Sequence, residues 1–428
     1  MSQDTIFALS SGRPPAAVAI VRSSGPRAFA ACEAIAGRLP PARRPVLREL
    51  RDPATGQAID EALVLRFDGP GSATGENVVE YQCHGSRAVV DALLGVMTSL
   101  PGMRMAEPGE FTRRALANGR IDLTEAEGLA DLLEAETESQ RRAALLMAEG
   151  GLRKQIEHWR QRLVELSARA EAAIDYVGDE DETAADEAAL AKEAQALADE
   201  LGQWLARPRA EPLKEGIRVV VAGPPNAGKS SLVNALAQSE KAIVTDIAGT
   251  TRDSIEVPLG LHGVPILLID TAGLRTSEDV VEAIGVSRAE GQLQRADLVL
   301  WLGEADGAPE LPRVIKVYAQ ADRAERHQAP EGSLPVSAVT GLGLGDLALR
   351  IVALSRDLLP AEGELALNRR QAAELEHARS ALAEGADRDL VQTAEALRLA
   401  RSAFDRLSGR AGVEDMLDAL FGRFCLGK

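Results

Sequence analysis

Eight residues constrain this chain more than any others: Gly223-Pro224-Pro225-Asn226-Ala227-Gly228-Lys229-Ser230, directly after an apolar run at residues 217–222. Gly-x4-Gly-Lys-Ser between a strand and a helix is a phosphate loop, and the flanking elements weigh against a ligand-free Gly-rich turn. The glycines let backbone N–H groups close around phosphate oxygens at the positive end of the following helix. Lys229 is placed to neutralise β- and γ-phosphates, and the Ser230 hydroxyl to ligate Mg²⁺.

Two further segments narrow the class. Asp270-Thr271-Ala272-Gly273 ends an apolar run at residues 266–269. Asp270 is expected to hold Mg²⁺ through water, and the Gly273 N–H to meet a γ-phosphate. Between the two motifs lies TDIAGTTRD, residues 245–253. Thr251 can supply a second hydroxyl to Mg²⁺; a polar turn between strands is the plain alternative. GTPases usually read guanine with Asn-Lys-x-Asp, and here that slot holds Ala319-Gln320-Ala321-Asp322. Asp322 keeps the carboxylate that accepts from guanine N1 and N2, whereas Ala319 lacks the amide that would brace the loop. Ser337-Ala338 fits the loop that approaches guanine O6. The expected GTP site thus comprises Asn226, Ala227, Gly228, Lys229, Ser230 and Ser231. Thr245, Asp246, Ile247, Ala248, Gly249, Thr250 and Thr251 follow, then Asp270, Thr271, Ala272 and Gly273, and finally Asp322, Ser337 and Ala338.

The surroundings divide into regimes. Short apolar runs at 18–21 and 63–67, broken by Gly and Pro, read as mixed α and β. Ile156, Trp159, Leu163, Leu166, Ala170 and Ile174 then recur at helical spacing, an acidic stretch at 179–182 interrupts, and Leu190, Ala194, Leu197, Leu201 and Trp204 resume the stripe. Pro208 and Pro212 mark a boundary. Runs at 217–222, 266–269, 298–302 and 313–318 read as buried parallel strands. A helical regime returns after Pro360 and ends in Leu417, Leu420, Phe421 and Phe424. The expected architecture is multidomain: an α+β domain (1–118), a helical domain in two segments (119–212 and 357–428), and a doubly wound, mostly parallel α/β domain (213–356) inserted between them.

With 428 residues the chain is too long for one core. Its formal charge of -17 argues against coating nucleic acid by phosphate neutralisation, so RNA contact needs a local basic patch or a partner. Cys32, Cys83 and Cys425 form no disulfide framework or Cys-x-x-Cys site, which indicates a reducing compartment. No secretory signal pattern opens the chain, and no apolar stretch approaches the ~20 residues of a membrane span. A cytoplasmic location is expected.

Together with the flanks, these motifs resemble the MnmE (TrmE) family of tRNA uridine-modification GTPases. The carriers are residues 246–253, Asp270-Thr271-Ala272-Gly273-Leu274-Arg275 and the terminal Phe424-Cys425-Leu426-Gly427-Lys428. Thr74-Gly75-Glu76, His84-Gly85, Pro108-Gly109-Glu110-Phe111 and Asp122-Leu123-Thr124-Glu125-Ala126-Glu127 add to them. Ribosome-assembly GTPases share parts of the central pattern but have neither the N-terminal block nor the terminal Cys-x-Gly-Lys.

The resemblance implies an N-terminal, GcvT-like domain that binds a tetrahydrofolate derivative (5,10-methylene- or 5-formyl-) and forms a homodimer. It implies a heterotetramer with the FAD-dependent MnmG (GidA), tRNA held largely through that partner, and an aminomethyl-type group installed on C5 of the wobble uridine, position 34. By position Arg22, Glu80, Arg120 and Lys428 match the folate contacts. A K⁺ ion, held by the Asn226 side chain and the carbonyls of Thr245, Ile247 and Thr250, takes the part of an arginine finger, offsetting transition-state charge. Glu282 matches the carboxylate that orients the attacking water; by sequence alone it is one acid among Glu278, Asp279 and Glu282. Cys425 reads either as a nucleophile toward a folate-borne carbon or as a small buried residue. Pro14-Pro15 stands where the family has a glycine pair. The competing reading is a GTPase switch, or a ribosome-assembly GTPase, that does no carbon chemistry of its own.

Overall fold

The structure, a computed structural model, describes residues 4–175, 180–239, 255–270, 291–323, 328–386, 389–411, 414–422, 424 and 427. The chain forms two compact units, Met1–Ala130 with Ser408–Lys428, and Asp131–Leu407.

The first unit is built on a six-stranded sheet. Its elements are β1 (Thr5–Leu9), β2 (Val18–Ser24), α1 (Ala28–Ala36), β3 (Val46–Arg51), β4 (Ala58–Phe67), β5 (Val78–His84), α2 (Arg87–Ser99), β6 (Met103–Met105) and α3 (Glu110–Ala117). The strand order is β3-β4-β5-β2-β1-β6, antiparallel except for the parallel pair β1–β6. Strand residues alternate between faces. Val79, Tyr81 and Cys83 of β5 therefore turn inward to the core that holds Ile35 and Leu93, while Glu80 and Gln82 turn outward. On the other face Ile6 and Ala8 of β1 pack with Ala106 and Phe111. Both Cys32 and Cys83 are buried and free. Burial pushes the Cys32 thiol up to about 11, so it stays protonated at neutral pH.

Helix α4 (Leu123–Glu134) leads into the second unit, followed by α5 (Glu138–Ala148), α6 (Gly151–Asp175) and α7 (Glu180–Leu205). A one-turn helix α8 (Glu211–Glu215) carries Pro212 in its first turn, where a missing N–H is harmless, so this proline starts a helix rather than only marking a boundary. Next come β7 (Ile217–Ala222), α9 (Lys229–Ser239), β8 (Ile255–Leu261), β9 (Val264–Asp270), β10 (Leu298–Trp301), β11 (Val314–Ala319), β12 (Leu334–Val336), α10 (Leu344–Ser355), α11 (Arg369–Ala386) and α12 (Leu390–Ser408).

The sheet order is β12-β11-β10-β7-β9-β8, parallel except for the β8–β9 hairpin. The apolar runs are these parallel strands. Pro258 sits in β8, an edge strand, where a missing donor is tolerated. Residues from both sides of the sheet segment build one helical core, including Trp159, Leu163, Leu197, Leu201, Leu375, Leu397 and Phe404. Trp159 meets Trp204 edge-on at 5.2 Å and stacks on Phe404 at 5.8 Å, and its indole N–H donates to Glu200 at 2.7 Å. The α6 stripe is buried as its spacing indicates, except Ile174, which is 43% exposed one residue from the helix end. The C-terminal α13 (Glu414–Phe421) belongs to the first unit, where Phe421 and Phe424 pack with Ala126 and Ala130 of α4.

Candidate nucleotide site and a second polar centre

Strand β7 delivers the chain into the 223–228 loop, and α9 opens at Lys229. Gly223, Asn226 and Gly228 all have positive φ (144°, 60° and 94°), a backbone course that L side chains rarely adopt and that turns N–H groups inward. Gly223 also runs against Leu302: a Cβ there would stand 3.1 Å from the Leu302 backbone. Lys229 is buried, and its ammonium donates to the carbonyls of Gly223 and Pro224, each at 2.8 Å. The cation is thus fixed across the mouth of its own loop. Asp270, 1% exposed, ends β9 and pairs in register with Val221, one residue before the end of β7. Ser230 and Ser231 are exposed at the start of α9. A serine hydroxyl at the start of α9 and a buried carboxylate at the end of β9 are the hard oxygen donors that suit Mg²⁺.

An open cavity of about 130 Å³ adjoins this loop, lined by Gly228, Ala319, Gln320, Asp322, Val336 and Ala338 among others. The Ser337 hydroxyl, and then its own backbone N–H, hold the Asp322 carboxyl below the usual carboxylate range. Ser337 is fully buried, and its oxygen accepts from the N–H groups of Val339 (3.2 Å) and Thr340 (3.1 Å). The Ser337 side chain therefore ties down the loop bearing Ala338, beside a carboxyl that is ionised at neutral pH. Asn226, Ala227, Gly228, Lys229, Ser230, Ser231, Asp270, Asp322, Ser337 and Ala338 all fall in this region. Thr245, Asp246, Ile247, Ala248, Gly249, Thr250, Thr251, Thr271, Ala272, Gly273 and Glu282 lie outside the described residues, as do Cys425 and Lys428.

The first unit carries a second polar centre. Arg22 of β2 and Glu80 of β5 are cross-strand partners in register, joined Nε–Oε1 at 2.9 Å and Nη2–Oε1 at 2.7 Å. The Arg22 guanidinium lies 5.8 Å from the centre of the Phe111 ring. Arg120 is exposed, with its backbone N–H bonded to Ala115 at 2.8 Å and its stem beside Gly75. Gly427 meets the same sheet: the Ser10 hydroxyl donates to the Gly427 carbonyl at 2.8 Å, next to Leu9, which pairs with Val21. An arginine suits a folate carboxylate and a glutamate suits a pterin's N–H donors, so Arg22 and Glu80 fit such a ligand chemically.

Sequence reasoning missed an ionic network nearby. Arg114 reaches Glu110 (2.9 Å), Asp4 (3.0 Å) and Glu76 (3.2 Å), and Arg104 grips Glu110 at 2.6 Å and Asp4 at 2.5 Å. Arg104 and Asp4 hold each other's charge: the Arg104 hydrogen bond is the main cause lowering the Asp4 carboxyl. Burial raises the Glu110 carboxyl, but bonds from Arg104, the Glu107 N–H and Arg114 outweigh it and leave it lowered. The signal was present in the strings around Glu76 and Glu110, which read as signatures without showing that one arginine joins them.

A buried phosphate-loop lysine, a strand-end aspartate and a base-sized cavity with an ionised acceptor define a P-loop nucleotide hydrolase of the GTPase class. Two family models match: the GTP-binding protein TrmE N-terminus over residues 5–120, and the MnmE helical domain over residues 123–425. The tRNA modification GTPase MnmE of Erythrobacter litoralis is 53% identical over 99% of this chain and 100% of its own length. The protein of the same name from Novosphingobium aromaticivorans is 50% identical over 99% and 100%. Among solved structures, the G domain of the T. maritima FeoB iron transporter is 29% identical, covering 32% of this chain and 98% of its own, at a TM-score of 0.25. The chain belongs to the MnmE (TrmE) family and is a GTP hydrolase.

Proposed function

We propose that this GTP hydrolase acts in tRNA modification. With an FAD-dependent partner, MnmG, it forms the aminomethyl or carboxymethylaminomethyl group at C5 of the wobble uridine, position 34. The supporting observation is one chain carrying both a phosphate loop and, in another unit, the Arg22–Glu80 centre with the terminal tail beside it. Two such centres fit a protein in which nucleotide hydrolysis serves chemistry performed elsewhere. The proposed division is an N-terminal folate-binding and dimerisation domain (1–118), a helical domain (119–212 and 357–428) and an inserted GTPase domain (213–356).

In the nucleotide site, Lys229 and the loop amides bind the phosphates, and Ser230, Thr251 and Asp270 hold Mg²⁺, directly or through water. Asn226, with the carbonyls of Thr245, Ile247 and Thr250, holds K⁺, which offsets charge developing on the phosphates. Glu282 orients the attacking water, and Asp322, Ser337 and Ala338 read guanine. In the first unit Arg22, Glu80, Arg120 and Lys428 hold the folate, which supplies a one-carbon unit when bound, and Cys425 lies within the same tail. The protein works as a cytoplasmic homodimer and, with its partner, a heterotetramer. Among the described residues no helix is long and apolar enough to cross a membrane. Mass spectrometry of wobble uridines from cells with and without the protein tests the whole reading. Unmodified position 34 is expected in its absence, and unchanged uridines with altered ribosomal subunits would reject it.

A further inference from the structure

We propose that Gln320 is a positioning residue of the nucleotide site, its side-chain amide tying the base-recognition loop to the phosphate loop. Three observations carry this. The Gln320 amide donates to the Asn226 carbonyl at 3.3 Å, a bond between two loops 94 residues apart. The same nitrogen stands 3.3 Å from where a Cβ on Gly228 would lie, so the glutamine arm lies across the loop's last glycine. Gln320 also has φ +59°, a left-handed conformation uncommon for a glutamine. Such strain persists only where the surroundings fix it, and here the Arg323 N–H donating to the Gln320 carbonyl (3.1 Å) and the Ala321 N–H donating to Val336 (3.1 Å) do so.

The consequence is mechanical. Ala319 has no polar side chain to hold its loop, and it is buried in the sheet core. Gln320, half-buried and lining the cavity, supplies a tie from the next position. Its target is the carbonyl of Asn226, a residue of the phosphate loop itself. Tightening one loop therefore fixes the other, and a nucleoside held at Asp322 is set at a defined distance from the phosphate loop. The altered base motif keeps its geometry by moving the brace one residue along. The inference rests on reading the cavity at Asp322 as the base pocket.

The test is competition of GDP against a fluorescent guanine nucleotide on the full chain, for wild type, Gln320→Leu, Gln320→Lys and Asp322→Ala. Leucine keeps the bulk and removes the donor. Loss of the tie is expected to weaken binding more than two-fold, up to the roughly five-fold that one net hydrogen bond realised in the bound state corresponds to. Lysine restores a donor of similar reach and is expected to return affinity to within about two-fold of wild type, a rescue that a purely steric role would not give. Gln320→Leu binding within two-fold of wild type overturns the proposal. So does Gln320→Lys binding as weakly as Gln320→Leu. Unchanged GDP binding by Asp322→Ala refutes the base-pocket reading itself. Weak binding by Asp322→Ala with none lost in Gln320→Leu removes the role of Gln320 alone.

Discussion

Substituting Gly427 by alanine should release the terminal tail from the first unit while leaving its core in place. Gly427 has φ +97°, and a Cβ there would stand 2.1 Å from the Leu9 carbonyl oxygen, inside any tolerable contact. Leu9 cannot retreat, because it is held in β1 against Val21 of β2. The tail must move instead, losing the Ser10–Gly427 hydrogen bond, worth ~1 kcal/mol. Forcing a Cβ into positive φ adds roughly 1–2 kcal/mol. A sum of about 2–3 kcal/mol lowers the docking equilibrium constant roughly 30- to 150-fold at 1.4 kcal/mol per tenfold. Phe421 and Phe424 stay anchored with Ala126 and Ala130, so the unit should keep its melting temperature. Hydrogen exchange at the tail and calorimetric binding of 5-formyl-tetrahydrofolate report the outcome. Gly427→Ala is expected to lose both tail protection and most folate affinity. Ser10→Ala, which removes only the hydrogen bond, should weaken binding about five-fold. Wild-type folate affinity in Gly427→Ala, or a larger loss in Ser10→Ala, would refute the reasoning.

GTP turnover should rise strongly in K⁺ over Na⁺ at equal ionic strength, and Asn226→Ala should abolish the difference; equal rates in both salts for the intact protein would end that assignment. Glu282→Ala should slow hydrolysis by roughly 10²–10⁴-fold with nucleotide affinity preserved, read by single-turnover kinetics beside a binding titration. The Asp4 and Glu110 carboxyls have folded pKa values below their ordinary values of 3.8 and 4.5. Their stabilisation is therefore present above about pH 4.5 and is lost as pH falls through the lowered values. Melting curves between pH 7 and 3 should show that loss in the first unit, with a shallower decline for Glu110→Gln than for wild type.

The long helices and the central parallel strands were legible because their burial is simple. Trp159 and Leu163 on α6, and Leu197 and Leu201 on α7, recur at helical spacing, and β7 and β9 are apolar but for Arg218 and the terminal Asp270. Less visible were strands that face water on one side. In β3, VLRELR, and in the first half of β4, AIDEA, pairs of charged residues break the apolar positions with no strict alternation, and β3 is an edge strand with a single neighbour among the described strands. Such strands carry too little apolar content to separate from loop by composition. The fate of the C-terminal segment was also hidden. Leu417, Leu420, Phe421 and Phe424 form a helical stripe whichever unit covers it, and the stripe says nothing about its partner. That partner is α4, nearly 300 residues away in sequence.

Within the candidate sites, the N-terminal signatures look alike as strings but perform two physical tasks. Glu76 and Glu110 both receive Arg114, while Ser24 donates to Glu76 and bonds Thr74 at 2.7 Å. Gly75 and Gly109 give close passage to Asn118 and to the Phe421 backbone. These residues hold elements of the first unit together, and each charge is answered within the group. Removing one member is costly where it strands the buried charges, Arg114 and Glu110, whose side chains are 8% and 11% exposed. Arg22 and Glu80 differ. They form a simple cross-strand pair, with side chains 25% and 16% exposed, on the outward face of β2 and β5. The two opposite charges stand side by side, with the Arg22 guanidinium 5.8 Å from the Phe111 ring, and the proposed function puts a ligand with both an anion and N–H donors there. The distinction rests on where the charges are answered, which spacing along the sequence could not reveal.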